Sequence, residues 1–160
     1  MLAPGFTMLG AALLVDLPIK KAAMGARPGC DASATQEGFP GSGCETFGGP
    51  STHAFASYGA LGTGSVIFLV DTFKYSDGRF SVPGLIGNVG LPLTAAVFTT
   101  IGRAIETGTD INGNTIRAYE DGGQIAAGAI SGLLTGALVG LTYSFLQRPS
   151  CGYGDSIICW

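Results

Sequence analysis

The sequence predicts an all-α membrane protein: about three glycine-rich transmembrane helices, a long irregular N-terminal arm and a short cysteine-containing tail. Three observations carry this. Residues 124–145, QIAAGAISGLLTGALVGLTYSF, contain no charge, and at ~1.5 Å rise per residue such a run is long enough to cross a hydrocarbon core of ~30 Å. Charged residues make up 12% of the chain, about half the usual share, while Gly supplies 27 of 160 positions, more than twice its usual share. Mean hydropathy is positive, at +0.40. Few charges and apolar runs describe spans in lipid joined by polar loops.

The same composition excludes several classes. Net charge is −3 and the 8 basic residues are scattered, so no electrostatic footprint for nucleic acid exists. Lys20 and Lys21 are the only adjacent basic pair, too few for a patch that recognises anionic lipid. No basic region precedes the apolar first 15 residues, so a cleavable signal is not expected.

In chain order, residues 1–21 form an apolar element, interfacial or a partial span, because Asp16-Leu17-Pro18 should break a continuing helix. Residues 22–52 are rich in Gly, Pro, Ser and Ala without a period, and such an arm must lie over another surface to gain order. Residues 53–146 form the helical domain. Its first span, 54–70, carries Ala56, Ala60 and Gly64 at every fourth position. A polar connection at 71–79 turns at Asp77-Gly78. The second span, 80–102, opens near Pro83 and should kink at Pro92. A polar loop at 103–121 centres on a turn at residues 110–114.

The third span holds the strongest pattern. Gly128, Gly132, Gly136 and Gly140 lie on one helical face. In water each would cost a helix ~0.5–1 kcal/mol against alanine. In lipid a flat glycine groove lets a neighbouring backbone approach closely and gain van der Waals contact. These four are the first candidate packing face, with Ala56, Ala60 and Gly64 second.

Cys30 and Cys44 lie in the arm and Cys151 and Cys159 in the tail of residues 147–160. Local bridges Cys30–Cys44 and Cys151–Cys159 are the simplest of three pairings, and free thiols the other reading. With no CxxC pair and one histidine, no zinc site is expected. Asp110, Asn112 and Asn114 open like a calcium loop, but Thr115 stands where its glycine is needed, so neither metal nor cofactor is expected.

One constellation points to chemistry. Lys20, six residues, then Arg27-Pro28 resembles the first signature of the membrane phosphatases related to phosphatidic acid phosphatase. Pro50-Ser51-Thr52-His53 resembles their second, and QIAAGAISG the segment after their third. That resemblance implies a phosphate held by the basic residues. It also places Glu120 and Gln124 where the family has its nucleophilic histidine and the aspartate that orients it. A carboxylate repels the phosphate it would attack, so no catalysis is expected. His53 then reads as a helix-start residue, with Ser51 or Thr52 as its N-cap.

A second resemblance covers residues 51–141. HAFASYGALGTGSVIF, GLPLTAAVFTTIGRAIE and the run from Arg117 through Glu120, Asp121 and Gln124 into AAGAISG are similar to spans of the glycine-rich mitochondrial inner-membrane translocase family. Within that family the likeness is greatest to the accessory subunit of respiratory complex I. Gln124 stands for the family's asparagine, and Gln147-Arg148-Pro149 ends the chain's last helix where a fourth span should follow. The resemblance implies a multi-pass protein of the mitochondrial inner membrane. Its partners would be other subunits of a large membrane complex and lipid, and its arm cysteines would face an oxidising space.

The expectation drawn from the sequence is a non-catalytic accessory subunit of a respiratory assembly, most simply complex I. The alternatives are part of a protein- or solute-conducting channel, and a degenerate lipid-phosphate phosphatase.

Overall fold

The computed structural model describes residues 2–23, 25–28, 30, 47–109, 112–117 and 120–146. The described chain is mostly helical, and three of its helices are long and apolar enough to cross a membrane. They run Thr52–Tyr75, Val82–Ile105 and Gly122–Leu146. This is the architecture of a multi-pass membrane protein.

The N-terminal element differs from expectation. Helix α1 (Leu2–Leu14) does not stop at Pro18 but passes through a π turn, Val15–Ile19, into α2 (Lys20–Ala23). The backbone N–H of Lys20 reaches the Val15 carbonyl, five residues back. This wider ring accommodates a proline, which has no N–H to place in the regular ladder.

Helix α3 (Thr52–Val70) is capped by Ser51, whose hydroxyl accepts the Ala54 N–H at 3.3 Å. It too continues past its expected end. Asp71–Tyr75 form a π turn, so the polar connection shrinks to the residues around Asp77 (φ 49°) and Gly78 (φ 78°). The return span starts at α4 (Val82–Leu85), capped by Ser81, and reaches α5 (Leu91–Ile105) through a π turn at Ile86–Gly90. Pro92 therefore sits in the first turn of α5, where its missing N–H costs nothing. A π turn immediately precedes it. An antiparallel hairpin of β1 (Thr107–Thr109) and β2 (Thr115–Arg117) follows, a small departure from an all-α chain. Gly113, at φ 81°, makes its turn possible. Helix α6 (Gly122–Leu146) closes the described chain.

Helix α3 is the hub. On one side α6 runs parallel to it in fixed register. A methyl group on Gly128, Gly132, Gly136 or Gly140 would fall under 3.0 Å from the carbonyl of Ser51, Phe55, Gly59 or Thr63 respectively. The Thr63 hydroxyl donates across this seam to the Gly136 carbonyl at 3.0 Å. On a second side the Asn88 carbonyl, in the π turn, meets Gly64. The Tyr58 and Thr100 hydroxyls lie 3.1 Å apart, and the rings of Phe68 and Phe80 meet edge to face at 5.6 Å. On the third, Met8, Ala12 and Val15 of the N-terminal helix pack on Phe55, beside Ala56 and Val139.

The glycine seam is the first candidate packing face of the sequence. Its neighbour is α3 of the same chain. The second small-residue row is split: Ala56 faces the N-terminal helix, Gly64 faces the return span and Ala60 is exposed. In contrast, few residues of the return span are buried, and Val97, Phe98, Ile101 and Ile105 face outward.

Close backbone contact makes a direct prediction. Gly132→Ala and Gly136→Ala should each lower the unfolding midpoint in detergent, the forced methyl costing about 1–3 kcal/mol. Gly10→Ala and Gly102→Ala, whose added methyl meets nothing within 4 Å, should leave it unchanged or raise it slightly. Equal responses from the two pairs would show that the seam is not close-packed.

Candidate functional site

At the end of the bundle where α3 and α6 begin, five polar side chains from separate parts of the chain converge. Glu120, two residues before α6, is the largest fully buried side chain among the described residues. Arg103, in the last turn of α5, grips it with a two-point fork: Nε donates to Oε2 at 3.2 Å and Nη2 to Oε1 at 2.9 Å. Arg27, 6% exposed, brings Nη1 to 3.8 Å from Oε1. The Ser51 hydroxyl donates to the same carboxylate, and buried Lys20 adds a further positive charge beside it. Arg103 also pairs through Nη1 with the half-exposed Glu106.

Burial alone would raise the Glu120 carboxyl. Hydrogen bonds from Arg103 and Ser51, with the charges of Arg103 and Lys20, outweigh it and hold Glu120 below its ordinary value of 4.5. The group is an anion at every physiological pH. The fold thus buries Glu120 among cations.

Asp121 and Gln124 act differently. The Asp121 carboxylate accepts the Gln124 N–H at 2.9 Å while the Gln124 side chain accepts the Asp121 N–H at 3.2 Å, a reciprocal box that starts α6. The Gln124 amide donates to the Ala26 carbonyl at 2.7 Å, and Gly48 and Gly49 lie against its side chain. Its own carbonyl accepts the Ser51 N–H at 3.0 Å. One amide side chain therefore ties the arm to α6, and its backbone sets α3 beside α6. The described arm residues run over the chain's own helices.

His53 is exposed on the first turn of α3, in the helix-start role expected of it. Arg117 pairs through its backbone with Thr107 in the hairpin. Cys30 is disulfide-bonded and its N–H meets the Arg27 carbonyl at 2.9 Å. Cys44, Cys151 and Cys159 lie outside the described residues, and so does the expected pairing. Asp110, of the calcium-like run, also lies outside them. Sequence reasoning missed Arg103 as a partner of Glu120. A lone arginine at the end of an apolar span, 17 residues before a lone acidic pair, gives no periodic signal.

A cleft of about 640 Å³ opens between the arm and the start of α6, walled by Gly25, Pro50, Asp121, Gln124, Ala127 and Ser131. No family model, curated protein or solved structure matches the chain.

Removing one partner of such a buried cluster leaves the others uncompensated, at a cost of about 3–5 kcal/mol. Glu120→Gln should therefore destabilise the protein at neutral pH. Because Glu120 titrates lower folded than unfolded, its stabilisation is full above the ordinary carboxylate range and is lost as pH falls through the depressed folded value. The wild-type midpoint should thus fall more steeply below about pH 4.5 than that of Glu120→Gln. Parallel acid-unfolding curves would contradict the assignment.

Proposed function

We propose that this protein is a non-catalytic membrane protein built around a degenerate phosphate-type centre, in the manner of a lipid-phosphate phosphatase without its nucleophile. One observation carries the reading. Lys20, Arg27, Ser51, Glu120 and Gln124, drawn from the three segments that resemble that family, come together at one end of the bundle, while His53 of the second segment stays exposed on the first turn of α3. Two cations and a hydroxyl of the kind that would hold a phosphate support the reading. Where that family has its nucleophile this chain has a carboxylate, engaged by Arg103 and without the neutral lone pair of an imidazole. Gln124, committed to the arm and the helix start, orients nothing catalytic.

The purified protein in lipid nanodiscs should release no phosphate from phosphatidic acid above a protein-free blank. Release that disappears in His53→Ala would overturn the non-catalytic reading.

A second reading is an accessory subunit of a mitochondrial inner-membrane assembly such as complex I. The thinly covered return span favours it, since that span rests almost wholly on α3 and leaves its outer face open to another helix or to lipid. The filled glycine seam, however, no longer argues for a partner. On this reading Phe98→Arg, with the protein still inserted, should shift its migration on a blue-native gel from a large complex to the free form. Unchanged migration would argue against a partner on that face.

A further inference from the structure

We propose that the end of the bundle where α3 and α6 finish binds a monovalent alkali cation, with Asp71, Thr72 and Ser144 supplying protein oxygens. The site lies away from the Glu120 centre and does not depend on how that centre is read.

Among the described residues four buried side-chain oxygens meet no hydrogen-bond partner, and three of them are Asp71 Oδ1, Thr72 Oγ1 and Ser144 Oγ. Thr72 is 4% exposed and Ser144 1%, so bulk water does not serve them. Unpaired buried polar atoms are costly, and several at one end of a bundle call for a bound group. Two contacts seat the π turn Asp71–Tyr75 on the last turn of α6. The Tyr75 hydroxyl donates to the Ser144 carbonyl at 3.0 Å, and Lys74 Nζ lies 5.0 Å from the ring centroids of both Tyr75 and Phe145. The glycine seam gives the same register: Gly140 packs on Thr63, so Ser144, one turn on, faces the turn of α3 that leads into Asp71. A hydroxyl rotates onto any acceptor within reach, yet neither hydroxyl bonds the carboxylate oxygen. The three oxygens stand too far apart to satisfy one another, as ligands separated by an ion do.

Charge selects the occupant. Asp71 lies one turn inside the end of a membrane span, where an ionised side chain needs a counter-charge. It takes part in no ion pair among the described residues. Lys74 turns its ammonium to aromatic rings instead, and α6 carries no charge from Gly122 to Leu146. Water would satisfy the hydroxyls but leave the carboxylate uncompensated. One carboxylate with neutral oxygens matches a single positive charge, whereas calcium takes about six to eight oxygens, several of them carboxylate. No group of three or more His, Cys, Asp or Glu that could hold a metal ion occurs among the described residues. Interrupted helices are also where membrane transporters coordinate sodium.

The test is thermal unfolding in detergent at constant pH and ionic strength, with choline chloride exchanged stepwise for sodium or potassium chloride. The wild-type midpoint should rise saturably with at least one of the two, by about 3–6 °C at ten times the half-saturating concentration. Asp71→Asn, which removes the uncompensated charge, should be at least as stable as wild type in choline and should not respond. Asp77→Asn, at an exposed acid in the adjoining turn, should respond as wild type does. Should Asp71→Asn fail to fold, Ser144→Ala carries the test, since loss of one ligand oxygen should raise the half-saturating concentration several-fold. A rise that persists in Asp71→Asn, or that choline produces equally, overturns the proposal. So does a midpoint that follows pH and ignores both alkali ions, which would mean that Asp71 holds a proton. Saturation by calcium at lower concentration than by either alkali ion would overturn the monovalent assignment.

Discussion

Backbone-to-backbone contact between α3 and α6 fixes most of what else the molecule can do. Four glycine positions of α6 each meet a carbonyl of α3 at the same offset of 77 residues, from Gly128 against Ser51 to Gly140 against Thr63. A constant offset means that the helices are parallel and start together. Parallel neighbours need a crossover, and here the return span supplies it, leaving the membrane beside the start of α6. The hairpin and Glu120 are thereby delivered to the end where Ser51 caps α3. In lipid no hydrophobic drive holds helices together, so the approach must come from small residues and close van der Waals contact. Without the glycines that approach would be blocked, and the polar centre would have no fixed walls.

Helix direction also explains the arrangement of charge. Two N-termini, of α3 and α6, meet at this end, and each presents a partial positive pole. Glu120 and Asp121 lie there. Two C-termini also arrive, of the N-terminal helix and of α5, each with a partial negative pole. Lys20 and Lys21 lie on the first and Arg103 on the second. Every one of these charges is on the side that its own helix dipole favours. The carboxylate and cations are then pushed together by packing, and burial makes each dependent on the others. A cluster of this kind gives little net stability compared with apolar packing, but it punishes the loss of any single member.

Much of the membrane architecture was legible in the sequence because it is local and periodic. Uncharged runs show three spans, and every-fourth glycines show a smooth helical face. What that face touches is not local. Nothing in residues 124–145 says whether the groove takes another protein or residues 51–63, and the fold chose the latter. Helix ends were misread for a related reason. Pro18 and Pro92 break a regular ladder, yet a π turn beside each absorbs the missing donor, and tertiary packing decides whether that happens. The hairpin did leave a signal. Asn112-Gly113 between Thr and Ile residues marks a tight turn joining strands, but strands of three residues barely register as alternation. The centre was legible only in pieces. Lys20, Arg27 and Ser51 could be aligned with a phosphate-binding pattern, whereas Arg103 and the inward turn of Glu120 follow from helix register.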